Sequence, residues 1–128
     1  MRGTVDVSHG PHAVPSVGLG CEYAVDAHGC DPTSLTSVET LRQLLNRVVA
    51  ELGLRPLDQL WHKFPEPGGV TGLVLLSESH LTVHTFPECA VATFNLYCCR
   101  PKPDWPWAAR LRETLGAAHV RVRSQRRG

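Results

Sequence analysis

The spacing of apolar and polar positions along the chain predicts six strands. A first strand is predicted over Glu22 to Ala27. From position 57 onward the apolar period is two residues, and β-branched or aromatic side chains are frequent, which is typical of strands. The further predicted strands are Leu57 to Phe64, Val70 to Leu76, Leu81 to Phe86, Val91 to Tyr97 and His119 to Arg123.

Two stretches follow the helical period instead. In the first, Thr36 and Glu39 have the spacing of a capping box, and Gly53 supplies a stop. Its apolar stripe consists of Val38, Leu41, Leu45, Val48 and Leu52. The second helix is predicted to begin at an Asp104 cap and to end at Gly116.

Strands grouped together with two helices predict an α+β fold, an antiparallel β-sheet with both helices packed on one face. The other face of such a sheet needs a cover, and a second copy of the chain would supply one in a sandwich-type homodimer. Residues 1–18 follow neither period, which predicts an irregular N-terminal tail before a single domain over residues 19–128.

Composition narrows the class of protein. The net charge of +1 gives no reason to expect a nucleic-acid partner, and the arginines near the C-terminus are typical of a solvated end. Five cysteines without a secretory signal indicate free thiols and a cytoplasmic location. The longest apolar run, Leu73 to Leu76, is far shorter than the about 20 residues that cross a bilayer, so no membrane association is expected.

The segment from Gly69 to Glu88 is dense in side chains that can carry out chemistry. Because side chains alternate along a strand, His80, Thr82 and His84 should share one face. The residues alone leave two interpretations open, a metal site built around the two histidines or a polar face in water. The spacing of the histidines does not decide between them.

A longer motif is more specific than this spacing. The chain reads Gly69-Val70-Thr71-Gly72, four apolar residues, then Ser77-Glu78-Ser79-His80-Leu81-Thr82-Val83-His84-Thr85-Phe86-Pro87-Glu88, and later Cys98-Cys99. It resembles the prokaryotic class of S-adenosylmethionine decarboxylase proenzymes, which have Gly-Val-Ser-Gly, an apolar strand, Ser-Glu-Ser-His-Leu-Thr-Ile-His-Thr-Trp-Pro-Glu and then Thr-Cys. A weaker likeness covers nearly everything after the predicted tail. A string of this length with two conservative substitutions is far more specific than a ligand pattern.

The resemblance implies a chain that makes its own cofactor. The serine hydroxyl of such proenzymes attacks the preceding carbonyl, which here predicts cleavage between Glu78 and Ser79 into a β chain of residues 1–78 and an α chain of residues 79–128. Ser79 would become a covalent pyruvoyl group, whose ketone withdraws the electrons released when carbon dioxide leaves. The resemblance implies no metal.

Roles for three further residues follow from their places in the motif. His84 would act as acid or base in self-cleavage, and Thr71, where the family has serine, would support it with its hydroxyl. Cys99 would return a proton to the product. Its neighbour Cys98 should face the other way and is read as a small buried hydrophobic residue.

The implied substrate is S-adenosylmethionine, and the implied product is its decarboxylated form for spermidine synthesis. Phe64 and Phe86 fall where the family places aromatics on both sides of the adenine, although core packing is the common fate of phenylalanine. Glu88 matches a motif glutamate that would bind polar groups of the substrate, or it lies in an ordinary solvated turn.

Several positions depart from the family pattern. Phe86 replaces a tryptophan, Asn95 an aspartate, and Arg100 follows the cysteine in place of glycine. Because these changes concern the predicted substrate wall, two alternatives stay open: a pyruvoyl-dependent arginine or ornithine decarboxylase, with a glutamate pairing the distal cation, and a non-catalytic regulatory paralogue.

Overall fold

The computed structural model describes residues 19–100 and 102–128, so the predicted tail over residues 1–18 lies outside the described residues. The described part is an α+β fold with one antiparallel sheet, as predicted. Its strands are β1 (Gly20–His28), β2 (Pro56–Lys63), β3 (Val70–Leu76), β4 (Ser79–Phe86), β5 (Val91–Cys98) and β6 (His119–Arg127). They lie in the order β2-β3-β4-β5-β1-β6, with β1 between two strands that follow it in the chain.

The helices pack on one face of this sheet. They are α1 (Pro32–Leu35), α2 (Val38–Glu51) and α3 (Trp107–Leu115), and a single 3-10 turn, Pro87–Cys89, follows β4. The two longer helices confirm the prediction, whereas α1 lies in a stretch for which no helix was predicted. The Asp31 side chain caps α1 by accepting a hydrogen bond from the backbone N–H of Thr33, and proline suits the first helical position.

Both predicted helix starts are wrong in detail. Ser37, and not Thr36, caps α2, because its hydroxyl oxygen accepts from the backbone N–H of Thr40 at 3.1 Å. Thr36 ends α1 instead. The helix α3 begins after Pro106 without a side-chain cap, so Asp104 does not cap it.

The hydrophobic core fills the space between the helices and the sheet. Alternate residues of β3, β4 and β5 are buried there, and the predicted stripe of α2 packs against them. The largest fully buried side chains include Leu35, Leu41, Leu45, Leu81, Leu96, Leu111 and Leu115. Each such leucine contributes about 1.5 to 3 kcal/mol through burial.

A buried threonine ties three elements together near the end of β4. Thr85 is 5 % exposed, and its hydroxyl oxygen accepts from the backbone N–H of Val70 at 2.8 Å. The same hydroxyl donates to the carbonyl of Leu35 at 2.7 Å. Thr85 therefore joins β4 to the start of β3 and to the end of α1.

A glycine in β3 is required by a tryptophan on the neighbouring strand. Gly72 pairs with Trp61 of β2, and a Cβ atom at this position would overlap the indole ring. The ring is held by the Arg42 guanidinium, 5.3 Å from its centroid, and its N–H donates to Gln59 at 2.7 Å. The indole can occupy this place only because position 72 has no side chain.

The sheet face away from the helices is open. On β2 and β3 it carries Leu60, Leu73 and Leu75, which are exposed. On β4 it carries the predicted row of His80, Thr82 and His84, while the buried residues of that strand point to the helices. No helix in the described ranges is long and apolar enough to span a membrane.

Candidate active site

The turn between β3 and β4 positions Ser79. Ser77 and Glu78 form the turn, and β4 begins at Ser79, two residues before the predicted start at Leu81. Ser79 is half-buried and pairs with Cys98 of β5. The Glu78-Ser79 bond is therefore the junction between a turn and a strand, with its serine side held by the sheet.

The carbonyl of this bond has a thiol partner. The thiol of Cys99, directly after β5, contacts the carbonyl oxygen of Glu78. The next residue, Arg100, donates to both carboxylate oxygens of the Glu78 side chain, at 3.0 and 3.3 Å. The end of β5 therefore holds Glu78 at both its backbone and its side chain.

These residues line a cavity of about 300 Å³ that includes Ser79, both thiols and the cationic side chains Arg55, Arg100 and Lys102. Cys99 is exposed, whereas Cys98 is buried, as strand alternation predicts. Burial raises the pKa of the Cys98 thiol above its ordinary value. The two neighbouring thiols therefore differ in access.

A second cluster lies at the opposite end of β4. Thr71 of β3 pairs with His84 of β4, and the Thr71 hydroxyl oxygen lies 3.0 Å from the His84 Nδ1 atom. Phe64, Phe86 and Glu88 line the same groove of about 440 Å³. Both phenyl rings are exposed by more than two-fifths, at 48% and 41%, so neither is a core residue.

The structure does not bring the two clusters together within one protomer. Ser79 and His84 lie five residues apart on one strand. At a rise of about 3.3 Å per residue this is roughly 17 Å, far beyond the reach of a proton transfer. The predicted site is thus divided into a cleavage end, with Ser79 and Cys99, and a groove end, with Thr71 and His84.

Sequence reasoning missed a polar network beside Ser79. The His80 Nε2 atom lies 3.1 Å from the Asn95 side-chain oxygen, and the Asn95 amide donates to Glu22 at 2.9 Å. Arg127 donates to the other oxygen of Glu22 at 3.0 Å, and the His80 ring stacks on Tyr97. Because the Asn95 amide group faces Glu22, its oxygen must accept from His80, so Nε2 carries a proton.

The metal interpretation of the histidines gains no support in the described part of the chain. In that part no group of three or more histidine, cysteine, aspartate or glutamate side chains is placed to hold a metal ion. His80 is instead bound to Asn95, and His84 to Thr71.

Comparison with known proteins agrees with the motif. A family model described as S-adenosylmethionine decarboxylase matches residues 22–128. An S-adenosylmethionine decarboxylase proenzyme from Pelotomaculum thermopropionicum is 35% identical over 112 residues, which are 86% of this chain and 87% of the relative. One from Thermosipho africanus is 37% identical over 112 residues, 86% of this chain and 85% of the relative.

A solved structure extends the likeness to three dimensions. The crystal structure of the adenosylmethionine decarboxylase from Aquifex aeolicus VF5 superposes with a TM-score of 0.70 at 30% identity, covering 87% of this chain and 92% of that one. The fold and the named relatives are those of a pyruvoyl-dependent decarboxylase. The chain belongs to the S-adenosylmethionine decarboxylase family.

Proposed function

We propose that the chain is a proenzyme that cuts itself between Glu78 and Ser79 and then decarboxylates S-adenosylmethionine. The products are carbon dioxide and decarboxylated S-adenosylmethionine, the aminopropyl donor of spermidine synthesis. The observation that carries this proposal is the contact of the Cys99 thiol with the carbonyl oxygen of Glu78, at the bond that the family motif marks for cleavage. A cytoplasmic location stays a prediction.

The contacts around Glu78 suit the first step of self-cleavage. The Ser79 hydroxyl oxygen attacks the carbonyl carbon of Glu78, and negative charge develops on the carbonyl oxygen. A hydrogen-bond donor already placed on that oxygen stabilises the charge as it forms. Cys99 is such a donor in the folded precursor.

The same surroundings suit a pyruvoyl group at position 79. The group supplies a ketone that accepts the electrons released when carbon dioxide leaves. Cys99 is exposed in the cavity that Ser79 lines, so its thiol is within the site where the product carbon needs a proton. Its neighbour Cys98 is buried and its raised pKa makes it a poor substitute.

The division of the site within one protomer supports the predicted homodimer. A two-fold axis that runs across the strands beside Thr82, midway between Ser79 and His84, would place each residue opposite the other in the partner copy. His84 and Thr71 of one protomer would then act on Ser79 of the second. The open sheet face with exposed Leu60 provides a surface for this contact.

The groove end would then supply the substrate wall. Phe64 and Phe86 offer exposed ring faces for the adenine, and Glu88, in the same groove, offers a carboxylate for polar groups of the substrate. In this arrangement the adenine and the reacting amino acid end of one substrate contact different protomers.

Two alternatives are not favoured by the relatives of the chain. The relatives named above are S-adenosylmethionine decarboxylase proenzymes, and the family model is described as S-adenosylmethionine decarboxylase, which does not favour an arginine or ornithine decarboxylase. A non-catalytic paralogue would have no need for Ser79 and Cys99 to line one cavity, with the Cys99 thiol on the carbonyl oxygen of Glu78.

Intact mass spectrometry and a labelled substrate test the proposal. The purified protein should separate into two chains, with a ketone in place of the serine at the start of the second, and should release labelled carbon dioxide from carboxyl-labelled S-adenosylmethionine. Ser79→Ala should stay uncut and inactive. Complete cleavage without release of carbon dioxide from this substrate, but with release from arginine or ornithine, would contradict it.

A complementation experiment tests the shared site. His84→Ala and Ser79→Ala chains with different tags are produced together and separately. The His84→Ala chain should be cut only in the mixture, because only there does an intact Ser79 meet an intact His84 from the partner. If His84→Ala chains are cut equally well alone, or remain uncut in a mixed dimer isolated through both tags, His84 does not act across the dimer.

A further inference from the structure

The cavity beside Ser79 has an excess of positive charge. Its described lining has three cations, Arg55, Arg100 and Lys102, and one carboxylate, Glu78. Arg100 is paired with Glu78. Within the described ranges the side chains of Arg55 and Lys102 make no hydrogen bond or ion pair. Like charges that face one cavity repel each other, so the cavity favours an additional anion.

Self-cleavage, if it proceeds as proposed, creates an anion at this place. In the first step the Ser79 hydroxyl oxygen bonds to the Glu78 carbonyl carbon, the Glu78-Ser79 C–N bond breaks, and the hydroxyl proton passes to the nitrogen. In the second step a base removes the Cα proton of residue 79, and the bond between Cβ and the oxygen breaks. Glu78 leaves as a carboxylate, and residue 79 then takes up water and releases ammonia to become the ketone.

The leaving carboxylate contains the carbonyl oxygen that Cys99 already contacts. It therefore forms inside the cavity lined by Arg55 and Lys102, next to the guanidinium that pairs with the Glu78 side chain. The position of Arg100 after Cys99, where the resembled family has glycine, adds a cation to this place.

We infer that Arg55, Arg100 and Lys102 form a cationic pocket that stabilises the carboxylate leaving group of Glu78 and so accelerates the elimination step of self-cleavage. The inference rests on the proposed self-cleavage. Positive charge placed where negative charge develops lowers the barrier of the step in which it develops. The first step breaks a C–N bond without releasing a carboxylate, so the pocket acts mainly on the second.

Hydroxylamine separates the two steps, because it cleaves an ester and leaves ordinary peptide bonds intact. Freshly synthesised full-length precursor of the wild type and of the double variant Arg55→Gln, Lys102→Gln is followed by intact mass with and without hydroxylamine. In the double variant the ester should accumulate, with elimination slowed about tenfold or more. Arg100→Gln added to the double variant should slow elimination further. Arg55→Lys in place of Arg55→Gln in the double variant should restore part of the elimination rate, because the positive charge is kept.

Arg112→Gln is the matched control, since Arg112 is an exposed arginine on α3 outside the cavity. It should mature like the wild type. An unchanged elimination rate in the double variant would overturn the inference, and so would normal maturation combined with weaker binding of S-adenosylmethionine. Slower loss of precursor without a hydroxylamine-sensitive species would place the cations in the first step and also overturn it. A wild-type precursor that never forms an ester or two chains would instead overturn the proposed self-cleavage.

Discussion

The Cys99 thiol contacts the carbonyl oxygen of Glu78, the residue directly before β4. The contact connects the end of β5 to the turn before β4 in the intact chain. A residue proposed to serve catalysis is therefore also in contact with the bond proposed for self-cleavage.

Removing this thiol should slow maturation. Cys99→Ala takes away the donor on the carbonyl oxygen, and we expect self-cleavage to slow about tenfold, less than for a stronger N–H donor because S–H donates weakly. Cys99→Ser should be less affected, since a hydroxyl also donates. The two product chains are quantified on gels over time, with the exposed Cys89→Ser as control. Equal cleavage of Cys99→Ala and wild type would show that the contact has no part in this step.

The two adjacent thiols should differ strongly in alkylation. At pH 8 iodoacetamide should modify Cys99 readily and Cys98 slower by on the order of 100-fold, because the thiolate is the reactive form and burial both raises the Cys98 pKa and blocks access. Peptide mapping by mass spectrometry reads the two sites separately. Similar rates at both positions would mean that the end of β5 opens readily.

The buried hydroxyl of Thr85 should contribute to the free energy of unfolding through its two backbone hydrogen bonds. Thr85→Val keeps the shape but leaves the Val70 N–H and the Leu35 carbonyl without this partner, at an expected cost of about 2 kcal/mol in the free energy of unfolding. Urea denaturation measures it. Thr82→Val on the same strand removes a hydroxyl that makes no hydrogen bond within the described part of one protomer, so it should cost less. A loss equal to that of Thr82→Val would contradict the bridging role.

Adding a methyl group at Gly72 should displace the Trp61 ring. Gly72→Ala is expected to lower the free energy of unfolding by about 1 to 3 kcal/mol through overpacking, and to change the indole fluorescence. In a Trp61→Leu background the same substitution should cost much less. If the penalty persists there, the glycine is needed for its backbone and not for the ring.

The sequence was sufficient for most elements whose pattern is local. The strand β3 has the predicted bounds, Val70 to Leu76, because its buried and exposed positions alternate without interruption. The strand β4 begins earlier than predicted because Ser79 and His80 pair with residues of β5, a long-range contact that local pattern does not report. The cap of α2 was misplaced by one residue since Thr36 and Ser37 are both acceptable caps, and the backbone selects Ser37.

The site was predicted only in part, for a related reason. The motif predicts Ser79, Cys99 and His84 as site residues, but it does not predict which of them lie close together. Arg55 lies before β2 and Lys102 after β5, and they face Ser79 only because the sheet places these ends together. Such convergence depends on strand order, which the periodicity of the chain does not fix.

The strand order also decides what would happen to the pieces after the cut. Residues up to Glu78 contribute β1, β2 and β3, and the rest contribute β4, β5 and β6, so β1 of the first fragment lies between β5 and β6 of the second. The ladders β3-β4, β5-β1 and β1-β6 would each join one fragment to the other. Separating the two polypeptides would require breaking three strand pairings and the shared core. After cleavage the fragments would therefore stay associated unless the protein is denatured.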